Sequence, residues 1–395
     1  MRDSPAKAGP FPILPGKTIG LLGGGQLGRM FAISARRMGY RVHALDPSLD
    51  CPAGQVADVE INRPYDDLDA ARNFANYCDV VSFEFENVPA ETLEAIEAIT
   101  PVRPAPSVLH TTRHRLREKT FLKDHGVPHA VWRECNTPAD VEAASRELGE
   151  GILKTALFGY DGKGQSRLPA AASSADCAAA WAKLGEPTAA VFEQLVPFTA
   201  EVSVVVARTD AGESRCFPVG RNDHADGILD VTTVPSGLGE AVEERAKTLA
   251  VDVAEKLGAV GLIAVEMFVV PDDHGGGGAD LLVNEIAPRT HNSGHWTFDA
   301  CVTSQFEQQL RAVCGLPLGD VSMTAGAVSM ANLLGDAWAD GEPDWPAALA
   351  DGRVKLHLYG KSQPRPGRKM GHLVATADTP DAARSAVLEA RSRLK

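Results

Sequence analysis

Apolar positions along the chain fall into short continuous runs, separated by stretches in which they recur every three to four residues. Lys17–Leu22 reads as a buried strand ending in a glycine cluster. Gln26–Met38 places Leu27, Met30, Phe31, Ser34, Ala35 and Met38 at helical spacing, and Gly39 follows as a stop. Arg41–Leu45 is the next strand, ending at Asp46, and Asp79–Phe85 is another. This alternation predicts an α/β fold with a parallel sheet at the N-terminal end. Three prolines in Pro101–Pro106 mark a boundary. Beyond it the pattern predicts a basic helix over His110–Lys123, a strand over Gly151–Lys154, an Ala-rich helix around Ala178–Leu184, and strands at Ala190–Gln194 and Val202–Val206. A long helix covers Glu240–Leu257. Strands Leu262–Val270 and Asp280–Ile286 flank a loop holding Gly275–Gly278. Strand-like runs at Gly326–Leu334 and Lys355–Tyr359 precede a terminal helix.

The chain has 395 residues, enough for two to three domains. With 44% apolar and 23% charged residues it has the composition of a globular enzyme and not of a disordered chain. A net charge of −13 argues against a general nucleic-acid binder, which needs excess Lys and Arg. No apolar run is long enough for a transmembrane helix. Met1–Pro15, with Pro5, Pro10, Pro12 and Pro15, lacks the apolar run of a signal peptide and reads as an extended tail. The seven cysteines are scattered without a Cys-x-x-Cys pair, which fits free thiols in a reducing cytoplasm.

Five clusters carry candidate chemistry. Gly23, Gly25 and Gly28 form Gly-x-Gly-x-x-Gly between a strand and a helix, with Asp46 ending the next strand. That pattern suits a phosphate ligand on the helix N-terminus, an NAD(P) site or a tight structural turn. Lys154 precedes Phe158-Gly159-Tyr160-Asp161-Gly162-Lys163-Gly164-Gln165, which reads as a flap over phosphates or as a solvated turn. Glu266 and Glu285 lie symmetrically about the segment that joins their strands. In a hairpin they would oppose each other about 5 Å apart at Cβ. Like charges so placed call for a cation between them, and hard oxygens suit Mg²⁺ held with phosphates, with Asn284 adding an oxygen if the strand is irregular. The segment Ala287–Trp296 collects Arg289, His291, Asn292, Ser293 and His295. Zinc on His291 and His295 lacks a third ligand, so an anion held by Arg289 with His291 as donor or proton carrier fits better. Finally, Arg353–His372 holds six Lys/Arg and no acidic residue, leaving 33 basic against 52 acidic residues elsewhere. It is a basic focus for a small anion or an exposed charge run.

These residues and their order resemble the ATP-grasp superfamily, and within it the 5-(carboxyamino)imidazole ribonucleotide synthases of purine biosynthesis. The matching segments are Gly23–Met30, Phe83–Val88, Tyr160–Gln165, Asp226–Leu229, Asn284–Arg289 with His291–Thr297, and Arg365–His372. Lys163, where many relatives carry Arg, still supplies a cation but no bidentate fork. Thr290 stands where an apolar residue is frequent.

The resemblance implies an ATP-grasp fold with a Rossmann-like N-terminal domain (17–112), an ATP-grasp domain (113–312) and a small C-terminal domain (313–395) after a tail (1–16). The implied reaction is ATP-dependent carboxylation of 5-aminoimidazole ribonucleotide by bicarbonate through carboxyphosphate, in a cytoplasmic enzyme that acts as a homodimer. It also implies roles for residues. Arg115, Lys154 and the loop Gly159–Gln165 (Gly159, Tyr160, Asp161, Gly162, Lys163, Gly164, Gln165) would hold the phosphates of ATP. Glu193, Gln194, Leu195 and Val196 would line the adenine pocket. Glu201 would take the ribose, with His224 and Asn284 nearby. Glu266 and Glu285 would hold Mg²⁺, and Gly25, Gln26, Glu84, Lys361 and Arg368 the ribonucleotide. Tyr160, Lys163, Arg289 and His291 would serve the reacting bicarbonate. A competing reading is an NAD(P)-dependent oxidoreductase resting on the first glycine cluster, and a third is a non-catalytic anion-binding protein.

Overall fold

A computed structural model of the chain describes residues 11–157, 164–271 and 279–394. The first sheet is four-stranded and parallel. Its strands are β1 (Thr18–Leu22), β2 (Arg41–Asp46), β3 (Val59–Asn62) and β4 (Val80–Phe83), in the order β3-β2-β1-β4. Helices α1 (Gln26–Arg37), α2 (Leu68–Asn76) and α3 (Ala90–Glu97) cover it. Every residue of β1 and β4 is buried, as expected for a sheet covered on both faces.

Two short helices follow, α4 (Pro106–Thr112) and α5 (Arg115–Asp124). The single basic helix expected over His110–Lys123 is therefore broken at Arg113 and His114. His114 is extended (φ −124°, ψ 109°), and the Arg115 amide opens α5 by donating to the Ala156 carbonyl. Helical spacing of charge concealed the break because it contains neither Gly nor Pro.

A small antiparallel sheet comes next: β5 (Trp132–Cys135), β6 (Gly151–Thr155), β7 (Gln165–Leu168) and β8 (Ala190–Gln194), in the order β5-β8-β6-β7. Helices α6 (Pro138–Leu148) and α7 (Ser174–Lys183) pack on it through Val141, Leu148, Cys177 and Trp181.

The largest sheet has nine strands. They are β9 (Ala200–Arg208), β10 (Ser214–Cys216), β11 (Gly220–Ala225), β12 (Ile228–Val234), β13 (Gly261–Pro271), β14 (Ala279–Ala287), β15 (Ala327–Leu334), β16 (Val354–Leu358) and β17 (Lys369–Ala377). Its order is β14-β13-β9-β11-β12-β15-β17-β16, with β10 beside β9. The C-terminal strands thus continue the central sheet edgewise, Val231 of β12 pairing with Ala331 of β15. Helix α8 (Glu240–Lys256) covers one face near β9 and β13. Beyond β14 come α9 (Thr297–Ala300), α10 (Gln305–Cys314), α11 (Trp345–Ala348) and α12 (Pro380–Ser392). No described helix is long and apolar enough to cross a membrane.

Helix α10 is the joint between sheets. Phe306, Leu310 and Val313 enter the core under α1 with Leu27 and Phe31. Its glutamines are buried too: Gln309 accepts from the Leu262 amide and donates to Ser82 Oγ, tying β13 to β4. The residues just before β1 are anchored in the same place. Ile13 is buried, and its amide donates to the Cys314 carbonyl.

His295 and His372 are fully buried, and burial holds both imidazoles well below the ordinary histidine range. A folded state that refuses a proton the unfolded chain accepts loses stability as pH falls below the unfolded value, roughly 6.5. The melting temperature of His295→Phe should therefore fall less between pH 7 and pH 5.5 than that of the wild type. Parallel curves would show that the ring does not titrate on unfolding. Comparing the two proteins cancels the opposite contribution of the raised carboxylates Glu118 and Glu266.

Candidate active site

The two glutamates face each other across β13 and β14, Glu266 pairing with Glu285, and Asn284 is the extra residue of a bulge. The outer part of the hairpin pairs Met267 with Val283 and Val270 with Asp280, a register that would set Glu266 opposite Asn284. The bulge shifts the ladder by one and restores the carboxylate pair. The even symmetry read from spacing is thus corrected: the pairing is right, and it depends on this irregularity. Asn284 Oδ1 is buried without a hydrogen-bond partner among the described residues. Burial, and then the charge of Glu285, push the Glu266 carboxyl upward.

Basic side chains of α5 and the imidazole of His291 close on this pair. Arg115 Nη1 lies 3.4 Å from Glu285 Oε2, and His291 Nε2 lies 3.5 Å from Glu266 Oε1. Lys119 donates to the Asn284 carbonyl at 3.1 Å and sits 3.3 Å from Glu193, which Lys154 also meets at 3.0 Å. Burial alone would raise the Glu193 carboxyl, but Lys119, Lys154 and Arg115 hold it at about 2. Arg115, Glu118 and Lys119 share one face of α5 at spacings of three and four, and that face points inward. Glu118 is 1% exposed and accepts from the Ile286 amide at 2.7 Å; Lys119 is 0% exposed. Sequence reasoning found Arg115 and missed Glu118 and Lys119. Three charged residues at helical spacing were the available signal, but such a face is ordinarily solvated.

Arg289 and His291 are held from outside their own loop. Arg289 Nη2 lies 2.7 Å from Glu86 Oε1, a residue after β4 that was not singled out. Gln305 accepts from the His291 amide (2.9 Å) and donates to its carbonyl (2.7 Å). His291 Nδ1 meets Ser293 Oγ at 2.8 Å, and burial beside Arg289 keeps the imidazole neutral well below its usual pKa. Glu201 and His224, on adjacent strands, approach to 3.3 Å. Burial would lower His224, but Glu201 raises it.

Along the edge expected to face adenine, the Gln194 side chain donates to the Leu148 carbonyl and its amide to the Val131 carbonyl. The Leu195 amide donates to the Glu150 carbonyl, and the Val196 carbonyl accepts from Phe198. Phe198 stacks on Phe268, centroids 4.8 Å apart and planes 13° from parallel, as an apolar wall beside this edge. Of the glycine-rich flap, Gly159, Tyr160, Asp161, Gly162 and Lys163 lie outside the described residues, and so do Gly275–Gly278. Gly164 closes on the Thr155 amide, and Gln165 pairs with Lys154.

At the first glycine turn the amides are already used. Gly24 donates to Asp46 (2.7 Å), and Gly25 and Gly28 donate to Glu84 (2.6 and 3.1 Å). A dinucleotide pyrophosphate needs those donors, so this occupancy opposes the NAD(P) reading. Gly25 is required for space, because a Cβ there would lie 2.8 Å from Glu84 Oε1. Lys361 reaches across to this turn, its ammonium 2.6 Å from Gln26 Oε1 and 2.7 Å from the Lys369 carbonyl. Arg368 donates to the Gln363 carbonyl. The basic run is narrower than its composition suggests, since Arg353 turns away to Asp351.

A parallel N-terminal sheet, a small antiparallel sheet and a large one, meeting around paired carboxylates and buried lysines, define an ATP-grasp ligase. The ATP-grasp domain family matches residues 120–306, the ribonucleotide synthetase preATP-grasp domain residues 16–113, and the phosphoribosylaminoimidazole carboxylase C-terminal domain residues 328–386. The N5-carboxyaminoimidazole ribonucleotide synthase of Brucella melitensis is 44% identical over 360 residues, covering 91% of this chain and 96% of that protein. The solved ADP complex of an N5-carboxyaminoimidazole ribonucleotide synthetase superposes with a TM-score of 0.87 at 40% identity, over 96% of this chain and 97% of that one. The Aspergillus clavatus enzyme, solved with ADP and 5-aminoimidazole ribonucleotide, gives 0.84 at 30% identity over 95% and 99%. The chain belongs to the N5-carboxyaminoimidazole ribonucleotide synthase family, ATP-dependent ligases of purine biosynthesis.

Glu193 neutralises two buried ammonium groups, and deleting one partner of such a set strands the others. Glu193→Gln should destabilise the nucleotide-free protein by about 3 kcal/mol in urea unfolding. An unchanged midpoint would mean that the lysines are already uncharged.

Proposed function

We propose that this cleft carboxylates 5-aminoimidazole ribonucleotide with bicarbonate and ATP, giving the 5-carboxyamino product, ADP and phosphate. The observation that carries this reading is the Glu266–Glu285 pair, set opposite by a bulge and faced by Arg115 and His291. The donor set fits Mg²⁺: two carboxylates and a buried amide oxygen without a partner are all hard ligands. Among the described residues no group of three His, Cys, Asp or Glu side chains is arranged to hold a metal. An ion here would complete its shell with phosphate and water oxygens, the habit of Mg²⁺ at nucleotide sites. When bound, it supplies charge neutralisation on the transferring phosphoryl group.

The chain's own residues do the rest. Arg115 and Lys154, with the loop Gly159–Gln165, take the phosphates; Glu193, Gln194, Leu195 and Val196 take the base edge, mainly by backbone. Glu201, with His224 beside it, accepts from the ribose. A bicarbonate oxygen attacks the γ-phosphorus, ADP leaves, and carboxyphosphate forms. Arg289 and neutral His291 hold its carboxylate, aided by Tyr160 and Lys163. The ribonucleotide lies at Gly25 and Gln26 near Glu84, its phosphate on Lys361 and Arg368. Its exocyclic nitrogen attacks the carboxyl carbon of carboxyphosphate, or CO₂ released from it. The N–C bond forms, the C–O bond to phosphate breaks and the amine proton is lost. Domain limits at 17–112, 113–312 and 313–395, a homodimer and a cytoplasmic location belong to the same proposal and rest on family likeness.

The test is ADP release that requires both bicarbonate and the ribonucleotide with Mg²⁺ present. Glu285→Gln should abolish it while the circular dichroism and melting curve stay native, because the charge goes and the shape remains. Release that ignores either substrate would sink the assignment. Lys361→Ala should raise the KM for the ribonucleotide at least tenfold and leave the KM for ATP within twofold. An effect confined to ATP would move Lys361 to the other site.

A further inference from the structure

One buried cluster takes no part in these steps. His357 on β16, His372 on β17 and His295 beyond β14 form a column of nearly parallel rings. Centroids are 4.6 Å apart for His357–His372 and 4.4 Å for His372–His295, with planes within 19° of parallel. Tyr359 stacks against His295 at 5.6 Å, and its hydroxyl meets His372 Nδ1 at 2.8 Å. Asp299 holds the outer end through His357 Nε2 at 2.7 Å. His295, His372 and Tyr359 are fully buried, and both ring nitrogens of His295 and Nε2 of His372 have no partner among the described residues. Leaving three such atoms unsatisfied is costly, where an apolar core would cost nothing.

The column's position suggests what offsets that cost. Tyr359 is two residues before Lys361, whose ammonium lies 5.6 Å from the centre of the Tyr359 ring. Gly360 between them is left-handed (φ +76°), and its carbonyl accepts from Gln55 of the N-terminal domain. A side chain at Gly360 would collide with Gln55. Lys361 is thus held from one side by Gln26 and, through Gly360, by Gln55, and from the other by Tyr359 on the histidine column. His295 at the column's end is four residues after His291, so one stack joins the loop of the carboxyl site to the segment bearing Lys361.

We propose that Tyr359, backed by His372 and His295, is a positioning residue that sets Lys361 for the phosphate of the ribonucleotide. This deepens the reading above and rests on Lys361 being that phosphate's ligand. Tyr359→Phe, which removes only the hydroxyl, should raise the KM for the ribonucleotide about fivefold, the worth of one buried hydrogen bond, with kcat and the KM for ATP within twofold. His295→Ala should raise the same constant, and His295→Phe, which keeps a flat ring in the column, should restore it. Residues that merely fill the core would shift both KM values together or neither. If Lys361→Ala raises the ribonucleotide KM while Tyr359→Phe and His295→Ala leave it unchanged, this inference is overturned and the functional reading stands. If Lys361→Ala is itself without effect while ADP release still requires the ribonucleotide, the assignment of Lys361 falls and this inference with it.

Discussion

Two carboxylates held face to face are the constraint around which the rest of the site is arranged. Glu266 and Glu285 repel each other, and burial of Glu266 adds to the upward push on its carboxyl. Arg115 comes from α5, His291 from the loop beyond β14, and Lys119 reaches the bulge carbonyl between them. Arg115 and Lys119 share α5, while His291 comes from a loop about 170 residues further along the chain. Arg115 offsets the carboxylate charge only when α5 is docked on the hairpin, and the neutral His291 adds a polar contact from the loop, so the electrostatics of the site and the packing of the domains are one problem.

The same economy appears at the glycine turn and in α10. The turn's amides are satisfied by Glu84 and Asp46, which leaves a backbone shaped for close approach without acting as an anion cradle. In α10, Gln305 clamps the backbone of His291 while Gln309 joins two sheets. Buried glutamine amides are expensive unless both ends are paired, and here both ends are. They transmit geometry between layers that share no strand.

Several of the residues that meet in the cleft are legible in the sequence. Lys154, Glu266 and Glu285 sit in or at the end of apolar runs, where a charged residue is conspicuous, whereas Glu193 comes only with the family resemblance, which does not foresee its pairing with Lys119 and Lys154. The motif order around His291–Thr297 and Arg365–His372 is distinctive. Glu118, Lys119 and Glu86 were not legible, because a charge among charges on a helix or loop has the same local pattern whether it faces water or a cleft. The break at Arg113–His114 escaped for a related reason: it is made by the tertiary contact of the Arg115 amide with Ala156, with no Gly or Pro to announce it.

Local sequence determined the strands that are continuous apolar runs, such as β1, β4, β9 and β13, the helices α1, α7, α8 and α12, and the identity of the chemistry-bearing motifs, since periodicity and side-chain type act over a few residues. The spacing of Glu266 and Glu285 also implied their pairing. Only the tertiary structure decided that the pairing is achieved by a bulge at Asn284, that α5 turns its charged face inward, and that three histidines stack in a column against Tyr359. Those outcomes depend on which surfaces are finally withdrawn from water. The free energy of a charge or a ring nitrogen is set by neighbours hundreds of residues away, which local pattern does not encode.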